Sequence, residues 1–378
     1  MNTKIYTYYF PNWHETKFNN VWHGKGWTEW DVTKCALPRF EGHKQPKHPL
    51  WGYLDESLPE VMEKKIDTAK KYGLDGFIFD WYIYREGLYR EDCLEKGFLK
   101  ARNNKDLEFA IMWANHDAIY VHPRGYYSKD PSLLKAALTE SVFRELVSHC
   151  IKNYFPQSNY IKIDGKLYFS IFNLHGFIES HGILGAKALL DEFRDKTRKA
   201  GLGEMHINVI DSFQGKNIFN QELDIRMIQH ILKTLSIDSV GFHGWGRPNP
   251  LAGLTVEYDE LLPYNLERFD KAGRAYGYKI IPSVTVGWDS SPRTVQSDKY
   301  DLSVGYPFTQ IVVNNTPKSF QNALTAVHKK TKESGYLNVM TVMAWNEWTE
   351  GSYLEPDEEN GYAMLEAFRA FKDGCGGN

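Results

Sequence analysis

Eight short apolar runs recur along the chain, each followed by a longer, more polar segment. The runs are IYTYYF (5–10), GFIFDWY (76–82), EFAIMWA (108–114), KLYFSIF (166–172), HINVIDS (206–212), SVGFHGW (239–245), KIIPSVTV (279–286) and NVMTVMAW (338–345). They are continuous rather than alternating, the pattern of strands buried on both faces of a parallel sheet. The clearest helical segment between them is LPEVMEKKIDTAKKYG (58–73), stopped by Gly73. Others cover 93–103, 131–154, 185–201, 221–235, 259–277, 318–335 and 361–374. Eight strand–helix units in order predict one α/β domain over 1–378, a (β/α)8 TIM-type barrel. A doubly wound sheet, the alternative, expects a Gly-rich fingerprint after the first strand, and this chain has none there. Segment 14–57, between the first strand and its helix, is long for a passive connection and is expected to carry function.

The net charge of −3 gives no electrostatic footprint for nucleic acid or an anionic membrane. No apolar run approaches the ~18 residues of a membrane span. The opening MNTKIYTYYFPNW lacks the h-region of a secretory leader. The reading is therefore a cytoplasmic protein, or a periplasmic one whose leader has been removed. Cys35, Cys93, Cys150 and Cys375 show no metal or redox spacing. The aromatic fraction is 15%, with 11 Trp and 23 Tyr, more than a core demands. Flat apolar faces beside polar tips suit a sugar-binding cleft.

In such barrels catalytic groups come from the C-terminal ends of the strands and the loops after them. Those positions here hold Tyr8, Asn12, Trp13 and His14; Glu29 and Trp30 in the long insert; Asp80 and Trp81; Trp113, Asn115 and His116; His243 and Trp245; Trp288 and Asp289; and Asn346, Glu347 and Glu350. Nearly every unit ends in polar groups, most of them beside an aromatic, which predicts a polar pocket with stacking walls for a glycan. Glu347 and Glu350 lie three apart where the last strand breaks into a loop. Two carboxyls held close in a partly desolvated site have their pKa values pushed apart, as glycosidic bond cleavage needs. The structural alternative is that Glu350 caps a turn and Glu347 pairs with a basic residue of a neighbouring loop. Arg293 is expected to pair with Asp289 or another loop acid, an anionic sugar being the second reading. His14, His116, His175 and His243 lack a metal-binding spacing, and neither a metal nor a cofactor is predicted.

The stretches YYFPNWH (8–14), GKGWTEWDV (24–32), GHKQPKHP (42–49), AKKYGLDGF (69–77), MWANHD (112–117), GWDSSPR (287–293) and WNEWTEGSYLEPDEENGYA (345–363) together resemble the WbsX-type proteins, which carry a glycoside hydrolase family 99-like domain. The resemblance implies a (β/α)8 barrel acting on glycans. In family 99 the first Glu of the WNEW-x-EG block is a base on the substrate 2-hydroxyl and the second is the acid/base. Carried over, Glu347 is the base and Glu350 the acid/base, with retention through an anhydro sugar and 1,2-trans substrates such as α-mannosides or α-L-rhamnosides. The chain departs from the pattern at His116, where WANE is usual, and at Phe79-Asp80-Trp81, where Tyr and His are usual. The expectation is a retaining glycoside hydrolase. A glycosyltransferase or transglycosylase of polysaccharide assembly is the alternative, and a non-catalytic glycan-binding barrel the third reading.

Overall fold

A computed structural model of the chain describes residues 3–129, 132–136, 139–211, 225–277 and 279–375. Nine parallel strands form the barrel: β1 (Lys4–Tyr9), β2 (Gly76–Tyr84), β3 (Glu108–Trp113), β4 (Lys166–Ile171), β5 (Met205–Ile210), β6 (Ser239–Gly241), β7 (Lys279–Ile281), β8 (Ser283–Thr285) and β9 (Val339–Met343). Each pairs with the next around the ring except β7 with β8, and β1 joins β9 (Thr7 beside Val342) and β2 (Tyr9 beside Phe79). β7 and β8 are one strand broken at Pro282, which has no N–H to donate. The first half pairs with β6 and the second with β9, so the break nearly closes the ring. The Pro282 carbonyl still accepts from the Thr341 N–H at 3.0 Å. The eight-unit barrel read from the sequence is thus the observed fold.

Around the barrel lie α1 (Lys17–His23) and α2 (Trp30–Lys34) in the long insert, then α3 (Pro59–Lys71), α4 (Glu140–His149), α5 (Leu174–Lys199), α6 (Ile225–Thr234), α7 (Tyr258–Tyr276), α8 (Pro317–Glu333) and α9 (Ala363–Cys375). Two helical expectations differ from the structure. Segment 93–103 folds as a π turn, Cys93–Gly97, and a 3-10 turn, Phe98–Lys100. There a Cβ on Gly97 would stand 2.2 Å from the Glu56 carbonyl oxygen, so this segment packs directly on the insert backbone. Segment 131–154 becomes helical at Glu140, after Thr139 accepts the Val142 N–H at 3.4 Å, and Ser132–Leu134 is a short strand instead. The helix expected at 185–201 is present, running from just after Gly182 to Lys199. An additional helical segment precedes it from Leu174, capped by Asn173 accepting the Gly176 N–H at 2.9 Å, and the two meet at a break at Gly182 (φ 67°). Residues 221–224 of the fifth expected helix, 221–235, lie outside the described residues.

The four cysteines are free. No described helix is long and apolar enough to cross a membrane. Past the C-terminal ends of β1 and β9, Phe10, Trp13, Trp348 and Tyr353 form an aromatic cluster with Trp30 of the long insert. Trp13 lies on Trp30 at 4.1 Å, and Trp348 stacks on Tyr353 at 3.8 Å.

Next to this cluster lies a buried charge network. Lys65 of α3 is 1% exposed, and its Nζ stands 2.8 Å from Glu355 Oε1 and 3.7 Å from Glu56 Oε2. It also donates to the Tyr9 hydroxyl at 2.8 Å, which donates in turn to Glu56 at 2.7 Å. Burying one cation among two carboxylates is tolerable only while all three are present. Lys65→Met is therefore expected to destabilise the fold by ~3–5 kcal/mol in equilibrium urea unfolding. A loss under ~1 kcal/mol, the value of an exposed pair, would contradict the network.

Candidate active site

Past β9 the chain makes a two-residue strand, Asn346–Glu347, paired antiparallel with Ser352–Tyr353 around a 3-10 turn, Trp348–Glu350. Gly351 closes the turn at φ 62°, and a Cβ there would meet the Asp289 backbone nitrogen at 2.9 Å. Only glycine combines that left-handed backbone with so close an approach.

Each side chain of the turn has a fixed partner. Asn346 clamps the Phe10 backbone, accepting from its N–H and donating to its carbonyl, both at 2.8 Å. The Trp348 indole N–H donates to Glu355 at 2.8 Å, which links the turn to Lys65. Thr349 accepts from Arg293 Nε at 2.8 Å and donates to Glu29. Glu347 and Glu350 then point to one guanidinium.

Arg293 is 5% exposed and carries the electrostatics of the site. Its Nη2 donates to Glu29 at 2.8 Å and to Glu347 at 3.1 Å, and its Nη1 donates to Glu350 and to the Tyr306 hydroxyl. Tyr306 donates to Glu350 at 2.8 Å. The expected partner Asp289 is not in this set. Instead Asp289 accepts from Gln45 at 2.6 Å and lies 2.8 Å from His43 Nε2, which places it in a neighbouring cavity of about 400 Å³. Burial alone would raise Asp289, but its bonds with His43 and the other partners hold it below the usual carboxylate range.

Three carboxylates around one guanidinium leave excess negative charge in a buried place. Burial would raise Glu29 too, but Arg293 and His122 hold it well below its ordinary value. Glu347 goes the other way. Burial first, and then the charge of Glu350, push its carboxyl well above the usual range against the pull of Arg293. Asp80 is raised in the same way, by burial and then by Glu350, and its Oδ1 has no hydrogen-bond partner among the described residues. His243 Nε2 stands 3.9 Å from Asp80, and burial followed by the charge of His116 lowers its pKa to about 4.

Glu347, Glu350, Asp80, His116, His243 and Trp288 line a cavity of about 560 Å³ at the C-terminal ends of the strands, within the range of small-molecule sites. The other expected site residues support this cavity from behind. Asn12 donates to Glu29 at 2.6 Å, and His14 lies 3.2 Å from Glu56. Asn115 is tied to the Asn173 backbone. Tyr8 lies under His243, ring centroids 4.5 Å apart. The expected stacking walls Trp13, Trp30, Trp81, Trp113 and Trp245 are core residues instead. Trp81 donates to Tyr154 at 3.0 Å, Trp113 packs between Phe143 and Phe177, Trp30 donates to the Leu54 carbonyl at 2.9 Å, and Trp245 to that of Ser283 at 2.8 Å. On strands covered on both faces, a large ring at a strand end turns toward the helices as readily as toward the mouth.

The actual walls include Phe10, Trp22, Tyr82, Tyr84, Tyr89, Phe172 and Tyr306, with Arg90 among them. Tyr82 and Tyr84 share a face because β2 continues past its expected end into a hairpin with Gly87–Tyr89. The alternating aromatics and the Glu-Gly turn of YIYREGLYR (82–90) were a readable hairpin signal. Tyr306 had none. Among the described residues, no group of three or more His, Cys, Asp or Glu is arranged to hold a metal ion.

The barrel is similar to a family 99 endo-α-mannosidase from Bacteroides thetaiotaomicron, at a TM-score of 0.57 and 14% identity over 98% of this chain and 97% of that one. It is also similar to a solved "glycoside hydrolase-like protein", at a TM-score of 0.60 and 14% identity over 98% and 94%. At such identities the likeness is one of fold. Residues 5–368 match the family described as "Glycosyltransferase WbsX", and the chain belongs to that family. Two uncharacterized WxcX proteins, from Xanthomonas campestris pv. campestris strains ATCC 33913 and B100, are 26% identical over 370 residues. The match takes in 97% of this chain and 49% of theirs, so the chain spans about half the length of these curated relatives.

Asp80 offers a test of the electrostatics. A carboxyl raised by folding contributes stability that is complete below its unfolded pKa and is lost as pH rises through its folded one. Asp80→Asn cannot titrate, so it should melt above the native protein at pH 8, and the gap should narrow toward pH 4. A constant difference across that range would exclude a raised Asp80.

Proposed function

We propose that the chain is a retaining glycoside hydrolase acting on an oligosaccharide or polysaccharide, with Glu347 and Glu350 as its catalytic pair. The observation that carries this reading is two buried carboxyls of one turn, bound to a single guanidinium, facing a cavity walled by aromatic rings. The family 99 pattern supplies the roles. Glu347 takes the proton of the substrate 2-hydroxyl as O2 attacks C1. Glu350 gives its proton to the departing glycosidic oxygen as the C1–O bond breaks. Water then opens the 1,2-anhydro sugar at C1, losing a proton to Glu350 while O2 recovers one from Glu347. The two displacements restore the original configuration. They require O2 trans to the leaving group, as in α-mannosides and α-L-rhamnosides. Asp80, His116 and His243 are the groups available to sugar hydroxyls, and Trp288 and the tyrosines are faces for the rings.

A transfer reaction is the second reading, favoured by the description of the family as glycosyltransferases. The two share their first half, since an acceptor hydroxyl in place of water gives transglycosylation.

Aryl α-mannoside and aryl α-L-rhamnoside, offered without nucleotide sugars to native protein, Glu347→Gln and Glu350→Gln, test the proposal. Release of the aryl group should fall by about 10³-fold or more in each variant. Release that survives both substitutions would remove the pair from the mechanism. Turnover that appears only with a sugar nucleotide would favour transfer. Because the base must be ionised and Glu347 is raised above its ordinary 4.5, kcat/KM should rise with pH with a midpoint well above that value. An acid limb at or below it would contradict the role of Glu347.

A further inference from the structure

The cavity contains a cation that the proposed chemistry does not use. Arg90 follows the Gly87–Tyr89 strand, lines the cavity and is 8% exposed. Its guanidinium lies over three rings, 4.8 Å from Phe10, 4.9 Å from Tyr82 and 4.4 Å from Tyr89. Rings attract a cation but accept its N–H groups poorly. Among the described residues no carboxylate forms an ion pair with Arg90, and its Nε has no hydrogen-bond partner. Arg293, by contrast, has Glu29, Glu347 and Glu350 around it. The Arg90 backbone is left-handed, at φ 66°, a conformation uncommon for a long side chain and one that clusters at ligand sites.

Glu29 and Asp80 act on this buried guanidinium only from a distance, so a ligand that brings an anion into direct contact would complete it. Its planar fork matches a carboxylate, which it binds through two parallel hydrogen bonds. A phosphate or diphosphate fits less well. It carries more charge than a lone arginine neutralises, and Asp80, Glu347 and Glu350 share the cavity. We propose that Arg90 binds the carboxylate of a hexuronic acid, so that the glycan received here is an acidic one. This rests on the reading of the cavity as a glycan site. Its test measures binding alone, so failure of turnover and failure of this assignment are separate results.

Sodium D-glucuronate, D-galacturonate and D-mannuronate, the matching neutral hexoses and inorganic phosphate are titrated into the full chain. Binding is followed by tryptophan fluorescence, since Trp22 and Trp288 line the cavity. At least one uronate should bind about tenfold or more tightly than its hexose. That ratio should shrink with added sodium chloride and fall to about one in Arg90→Met and in Arg90→Asn, since asparagine accepts the left-handed backbone. The proposal is overturned by a ratio near one in the native protein, by a ratio that survives both substitutions, or by phosphate binding as tightly as the best uronate.

Discussion

Arg293 reaches carboxylates from two segments far apart in the sequence, Glu29 of the long insert and Glu347 and Glu350 of the last turn. In water such contacts contribute little, because solvent screens them and long side chains resist being fixed. Here the guanidinium and its partners are buried, so removing the guanidinium would leave three carboxylates facing one another unscreened. The same contacts hold the turn after β9 in place. Its acids converge on one cation, its threonine bridges that cation to Glu29, and its glycine lets the chain pass against Asp289.

A second buried cation fixes the same turn from below. Lys65 binds Glu355, Glu355 holds the Trp348 indole, and Trp348 stacks in the cluster with Trp30 and Tyr353. The aromatic richness of the chain is thus divided between two tasks. Tryptophans form a rigid, dry bed under the acids, and tyrosines with a few other rings form the walls above them. Burial is the first cause of the raised Glu347 carboxyl and the charge of Glu350 the second.

Much of this was legible in the sequence. Continuous apolar runs announced a parallel barrel, and the pairing of Glu347 with Glu350 at the break of the last one drew attention to the right turn. What the runs could not convey is the direction of a side chain on a strand covered on both faces. With no alternation to read, Trp81 and Trp113 looked the same as Trp288, although the first two face helices and the third faces the cavity. Long-range partners were equally silent. Both elements of the bland alternative for Glu347, a basic residue and a neighbouring loop, are present in Arg293, yet Glu347 still reaches the cavity. Nothing local distinguishes the partnership of residues 29, 293 and 347 from a pairing of Arg293 with Asp289, four residues away. The boundary of β2 was missed for a different reason, since the hairpin continuing it was written in plain alternation.

Barrels of this architecture are often regarded as interchangeable loops on an inert frame, which is how one frame serves many chemistries. The shared guanidinium restricts that freedom here. The loop bearing Glu29, the loop bearing Arg293 and the turn bearing Glu347 form one electrically coupled unit. Grafting any one of them from a relative would import a buried charge or leave one behind. The loop after β3 is tied to the same unit through His122, which lies 3.3 Å from Glu29. The hairpin of β2 makes no direct ion pair with that unit among the described residues, so its rings are where the lining of the cavity can change without breaking a buried pair.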